Sequence, residues 1–109
     1  MSLLSREEVY RAIDLERQHQ IEKYGENRAQ SLPGFLLVAQ AELDEAKEGW
    51  IKNRPGRSSP LAELLQVAAV CVAALEKYGI SGNTFNTDDY VDYSTARTYE
   101  PGSKLPSDL

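Results

Sequence analysis

Apolar residues recur at helical spacing along the first three quarters of the chain, and this pattern predicts three helices. The first helix is expected over residues 5–24, with Val9 and Ile13 on one face. Ser5 and Glu8 have the spacing of a capping box at its start, and Gly25 supplies a C-terminal stop. The same face continues through Glu16, Gln20 and Tyr24, so it turns polar halfway along, whereas a purely structural stripe normally stays apolar.

The second helix is expected to begin at Ser31 or Leu32, with Pro33 in its first turn, and to end near Asn53. Two neighbouring stripes run along it. One is apolar throughout and is expected to pack; it consists of Leu36, Ala39, Leu43, Ala46 and Trp50. The other begins apolar and then becomes acidic; it consists of Phe35, Val38, Glu42, Glu45 and Gly49.

The third helix follows a basic turn, KNRPGRSSP, with Ser59 as its cap and Pro60 at its first position. Residues 64–75 are apolar or alanine except for Gln66, so this helix is predicted to be central and Gln66 to be buried. Cys71 lies in this run and is interpreted as a small core residue rather than a nucleophile.

The predicted fold is therefore all-α: an antiparallel helical bundle of three main helices, completed by oligomerisation. Residues 1–80 form the bundle. Residues 81–109 are rich in turn formers, which allows a short fourth helix starting at Thr87 and an extended tail that is partly disordered or packed on a neighbouring subunit.

Length and charge limit the classes of function. A chain of 109 residues with a net charge of −5 is one domain at most, and it lacks the clustered Lys and Arg of a protein that binds nucleic-acid polymers. The longest apolar run, residues 67–75, is too short to span a bilayer, so no membrane association is expected. No secretory signal is visible, and a cytoplasmic location is the default expectation.

The candidate chemistry lies in two polar pairs at i,i+3 spacing. Glu42 and Glu45 share one face of the second helix, and Glu63 and Gln66 share one face of the third. If these helices run antiparallel, the two pairs meet between them. Inward carboxylates need a compensating cation, and Mg²⁺ prefers oxygen ligands, so the pattern predicts a magnesium site. The alternative interpretation is an acidic face in contact with solvent only.

These motifs resemble the MazG-like nucleotide pyrophosphohydrolases, also called all-α NTP pyrophosphatases. The resemblance covers about residues 16–78 and depends on ERQHQIEKYGE, AELDEA and ELLQVAAVCVAALE. The family pattern is EExxE, a spacer and then ExxD. Glu42 and Glu45 match the second and last acids of EExxE, and Glu63 matches the Glu of ExxD. Ala41 stands in place of the first Glu, and Gln66 in place of the Asp.

The resemblance implies cleavage of a nucleoside or deoxynucleoside triphosphate to the monophosphate and pyrophosphate, with Mg²⁺, or Mn²⁺ in its place, as cofactor. The catalytic acids would be Glu42, Glu45 and Glu63, and Gln66 would join them at the metal. A homodimer or homotetramer is expected, as in relatives. The residues expected to contact substrate are Glu16, Gln20, Lys23, Tyr24 and Lys47. Other cations suited to a triphosphate are Lys52, Arg54 and Arg57.

Two other classes stay open. A degenerate MazG-like oligomer could bind nucleotide or metal without turnover, and Gln66 is the residue that favours this alternative. The chain could also be a helical assembly protein whose acidic faces are merely solvated.

Overall fold

The structure, a computed structural model, describes residues 3–26 and 30–79. Three α-helices account for most of them: α1 (Arg6–Tyr24), α2 (Leu32–Ile51) and α3 (Pro60–Tyr78), with a short 3₁₀ turn at Gly56–Ser58 between α2 and α3. No β-strand occurs in these two stretches. The predicted all-α class is confirmed. The short fourth helix and the tail predicted after residue 80 lie outside the described residues.

Side-chain caps fix the helix starts where the sequence predicts them. The Ser5 hydroxyl accepts a hydrogen bond from the Glu8 amide at 3.1 Å, and Glu8 accepts one from the Ser5 amide at 3.0 Å. The Ser31 and Ser59 hydroxyls cap α2 and α3 in the same way. α2 ends at Ile51, two residues before the predicted Asn53, whose φ of 53° cannot continue a right-handed helix.

The third helix is central, because α1 and α2 each pack on α3 and not on one another. α2 and α3 run antiparallel. The Phe35 ring, near the start of α2, meets the Tyr78 ring at the end of α3 edge to face, with centroids 6.5 Å apart. At the opposite end, Gly49 packs against Ser58 and Pro60. The buried apolar cluster is small and belongs to α2 and α3: Phe35, Val70 and Ala73, with Ala39 and Ala74 against it.

The apolar stripe of α2 is only partly covered within the chain. Ala39 and Ala46 pack inside, whereas Leu36 is 63% and Trp50 77% exposed. The neighbouring stripe faces α3 from Phe35 to Gly49, both buried. The expectation that Cys71 is a core residue was wrong, because it is exposed on α3, which the described helices cover on two sides only.

Among the described helices, none is both long enough and apolar enough to cross a membrane.

Candidate metal centre

Three carboxylates converge where the C-terminal half of α2 lies beside the first turns of α3. Glu42 and Glu45 come from α2 and Glu63 from α3, and one oxygen from each lies within 4.8 Å of the others. The i,i+3 spacing on α2 and the antiparallel course of α3 together bring them to one place. The structure thus places these three predicted site residues together.

The cluster is partly withdrawn from solvent. Glu63 is 6% exposed, Glu42 is half-buried and Glu45 is exposed. One carboxylate oxygen of Glu42 and one of Glu63 are buried without a hydrogen-bond partner. A buried carboxylate oxygen without a donor is costly, and a divalent cation is a partner that would satisfy several such oxygens at once. The donor set therefore fits a hard cation.

Proton affinity reflects the same crowding. Burial raises the pKa of Glu63 above its ordinary value, and the neighbouring Glu42 carboxylate raises it further, while the charge of Arg57 lowers it. The pKa of Glu45 is raised by burial and then by the charge of Glu63, and Arg54 opposes this shift. Glu45 and Glu63 therefore favour a bound positive charge, either a proton or a cation.

A cavity of about 330 Å³ opens beside the cluster, in the cleft that α1 and α2 leave above α3. Glu42 belongs to both the cluster and the cavity wall, so the two form a continuous site. The rest of the wall is apolar toward the core and polar toward α1; it comprises Gln20, Tyr24, Gln30, Phe35, Val38, Val70 and Ala73.

Gln66 takes part in a chain of polar contacts instead of lying deep in the core. It is half-buried, its side-chain amide donates to the backbone carbonyl of Arg57 at 3.3 Å, and its own backbone carbonyl accepts from the Gln20 side chain at 3.3 Å. The expectation of a buried Gln66 was thus only half right. Its role as a metal ligand stays a prediction.

The predicted substrate-contacting residues divide into two groups. Gln20 and Tyr24 line the cavity. Glu16 is buried below the surface of α1 and accepts a hydrogen bond from the Arg57 guanidinium at 2.9 Å. Lys23 lies over the Tyr24 ring, 5.1 Å from its centroid. Lys47 is exposed and pairs with Asp44 at 3.4 Å, so it is not part of the cavity wall.

Three further residues matter more than the sequence indicated. Arg54 and Arg57, from the segment between α2 and α3, place positive charge near Glu45 and Glu63 respectively. Gly49 lets this segment approach α2, since a Cβ there would lie 2.7 Å from the Ser58 carbonyl oxygen. Its position on the acidic stripe, four residues after Glu45, was the signal available in the sequence.

Comparison of the chain with protein-family models, curated proteins and solved structures finds no match. The MazG-like resemblance therefore depends on the quoted motifs alone, and the function has to be argued from the site.

Proposed function

We propose that this protein is a Mg²⁺-dependent nucleoside triphosphate pyrophosphohydrolase, as the MazG-like motifs imply. The observation that carries the proposal is the convergence of Glu42, Glu45 and Glu63 within 4.8 Å at one end of a cleft large enough for a nucleobase. Mg²⁺ usually links protein carboxylates to substrate phosphates, and this arrangement offers both halves of such a site.

The three acids hold the cation, which supplies charge neutralisation for the phosphate oxygens of the substrate. Glu63 and Glu42 contribute the buried, unpartnered oxygens. Glu45 is the member that water reaches, so it is the candidate to accept the proton of the attacking water. The water oxygen attacks phosphorus, the anhydride bond between the α- and β-phosphates breaks, and pyrophosphate leaves.

The cleft supports a place for the base and sugar. Its inner wall offers apolar contact through Phe35 and Val70, and its rim offers the Gln20 amide and the Tyr24 ring. The Gln20 amide is held by the Gln66 carbonyl, so it is oriented before a ligand enters. Pre-orientation lowers the entropy lost on binding.

We further propose that the chain self-associates as a dimer or tetramer. The exposed stripe of α2, defined by Leu36, Leu43 and Trp50, is the support for this, because large apolar residues exposed along one face of a helix often contact a partner. The partner would be a second copy of the chain, because the sequence predicts a homodimer or homotetramer.

The alternative is binding without turnover. It is favoured by Gln66, which stands where the motif has an acid and whose amide nitrogen is engaged with Arg57 rather than with the acid cluster. A site with three acids could hold a cation and a nucleotide yet accelerate hydrolysis little.

The deciding experiment measures pyrophosphate release from a panel of standard and modified triphosphates, with and without Mg²⁺. We expect release that requires Mg²⁺ and is lost in Glu42→Gln and Glu63→Gln. Metal binding without turnover would favour the alternative, and the absence of both would leave an assembly protein with a solvated acidic face.

A further inference from the structure

The segment between α2 and α3 holds one arginine in an unusual setting. Arg57 is the middle residue of the 3₁₀ turn, and its side chain is 68% exposed. Its guanidinium nonetheless makes a 2.9 Å ion pair with Glu16, whose side chain is only 9% exposed. The charge is therefore held in place from beneath while most of the side chain remains open to solvent.

The backbone of Arg57 is fixed on two sides. The Gln66 amide donates to its carbonyl oxygen at 3.3 Å. The next residue, Ser58, packs so closely on Gly49 that a methyl group there would lie 2.7 Å from the Ser58 carbonyl oxygen. Contacts to α2 and α3 thus fix the backbone position of Arg57, and the ion pair with Glu16 of α1 fixes the position of its guanidinium.

Arg57 also lies beside the acid cluster. Gln66, whose side-chain amide donates to the Arg57 carbonyl oxygen, comes three residues after Glu63 on α3 and so shares a face of that helix with it. Other cations of this region pair with acids of α2: Lys47 pairs with Asp44, and both Lys52 and Arg54 pair with Glu48. Arg57 instead pairs with Glu16 of α1, and it is therefore the cation among these four that is tied to the helix lining the cleft through Gln20 and Tyr24.

We propose that Arg57 binds the phosphate chain of the ligand whose cation is held by Glu42, Glu45 and Glu63. The inference rests on the proposed function and adds a phosphate-binding residue to it. The planar guanidinium matches phosphate oxygens and remains charged at all working pH values. Glu16 orients it, and Gln66, which replaces an acid of the motif, holds its backbone. In the motif, the acid at this position would help to hold the metal ion that neutralises the phosphates. In this chain the Arg57 guanidinium supplies part of that positive charge.

A purely structural role for the ion pair makes a different prediction, and two variants separate the roles. Arg57→Gln and Glu16→Gln both remove the ion pair, but only the first removes the guanidinium. Arg11→Gln is the matched control, because it removes one positive charge from an exposed position of α1 that has no part in the site. Each variant is titrated with inorganic pyrophosphate by calorimetry, in the presence and absence of Mn²⁺, and its melting temperature is recorded.

We expect Arg57→Gln to weaken pyrophosphate binding by about tenfold or more, as loss of a charged hydrogen-bonding partner does. Glu16→Gln should weaken binding less than Arg57→Gln, because it frees the guanidinium without removing its charge, and Arg11→Gln should keep the affinity within about twofold. Equal weakening in Arg57→Gln and Glu16→Gln, with matching losses of melting temperature, would overturn the proposal in favour of a structural pair.

Hydrolysis is measured separately, in the wild type and in Arg57→Gln. Equal rates of pyrophosphate release from triphosphates in the two proteins would overturn this inference and leave the proposed function intact. Wild-type protein that binds Mn²⁺ but no pyrophosphate would also overturn it. Pyrophosphate binding that requires Arg57, in a protein without hydrolytic activity, would support the inference and reject the enzyme.

Discussion

Gly49 and Ser58 lie in direct backbone contact, since a Cβ added to Gly49 would come within 2.7 Å of the Ser58 carbonyl oxygen and 3.4 Å of the Pro60 nitrogen. Both neighbours are backbone atoms and cannot rotate away. This contact sets how closely the segment that carries Arg57 approaches α2, and it fixes the first turn of α3, from which Glu63 extends.

Gly49→Ala is therefore expected to destabilise the protein, even though alanine favours helix. The clash should lower the free energy of unfolding by roughly 1–3 kcal/mol, the usual effect of overpacking. Urea denaturation followed by circular dichroism measures it. Gly34→Ala is the control, because its Cβ would meet the flexible Gln30 side chain, and we expect it to be neutral or slightly stabilising. Equal effects at both glycines would contradict the packing argument.

Removing one carboxylate should weaken cation binding and relieve repulsion in the metal-free protein. We expect Glu63→Gln to lower Mn²⁺ affinity by roughly tenfold or more, since losing a residue that only hydrogen-bonds to a metal ligand already has an effect of about that size. Calorimetric titration measures the affinity. Asp44→Asn is the control, since Asp44 is exposed on α2, between Glu42 and Glu45, and pairs with Lys47. An unchanged affinity in Glu63→Gln would remove the metal site.

Stability of the metal-free protein should depend on pH in a defined direction. The folded-state pKa of Glu63 and of Glu45 lies above the ordinary value of 4.5, so the folded state binds more protons than the unfolded chain in that window. Their contribution to stability is present below pH 4.5 and is lost as pH rises through the raised values. The pKa of Glu48 is lowered, so its contribution to stability has the opposite pH dependence. That contribution is present above pH 4.5 and is lost as the pH falls through the lowered value.

Denaturation at a series of pH values tests this, with Glu63→Gln as the comparison. The variant should lose stability less steeply than the wild type above pH 4.5. Saturating Mg²⁺ should reverse the wild-type trend, because a bound cation favours the ionised acids. A wild type and variant with the same slope would contradict the prediction.

Gln66 offers a test of the missing acid. Gln66→Asp should increase Mn²⁺ affinity by adding a fourth carboxylate, and it should lose the amide donor to the Arg57 carbonyl. Gln66→Ala should also lose that hydrogen bond, at a cost of about 1 kcal/mol in unfolding free energy, without any gain in affinity. Calorimetry and urea denaturation separate the two effects. If Gln66→Asp gains no affinity, position 66 does not reach the cation.

The exposed stripe of α2 predicts concentration-dependent association. Trp50→Lys should shift the protein toward the monomer in sedimentation velocity experiments, because it places a charge in the proposed apolar interface. Leu15→Lys, at an exposed leucine of α1 outside the stripe, is the matched control and should leave the distribution unchanged. A wild type that is monomeric at all concentrations would reject self-association.

The sequence was sufficient for the helices and their caps, because Ser5, Ser31 and Ser59 act on neighbouring backbone amides and need no tertiary information. It was also sufficient for the acid cluster, since i,i+3 spacing and an antiparallel pair of helices determine it. It could not say how much of the apolar stripe of α2 the chain itself covers. The backbone approach at Gly49 turns the acidic stripe toward α3, and Leu36 and Trp50 are left exposed.

Long cationic side chains were the other gap. Lys47 pairs with Asp44, three residues before it on the same helix, and its contact with substrate stays a prediction. Arg57 had no acid of its own at such short range, so its partner comes from α1, 41 residues away. Contacts of that kind depend on the tertiary arrangement and leave no local pattern.

The absence of contact between α1 and α2 has a consequence for access to the cleft. The buried apolar cluster belongs to α2 and α3, whereas polar pairs hold α1 in place: Arg17 with Glu76 of α3, and Glu16 with Arg57 of the 3₁₀ turn. Raising the ionic strength weakens partly exposed pairs of this kind and leaves apolar contacts intact. Added salt should therefore let α1 swing outward and widen the entrance while the α2–α3 hairpin stays folded.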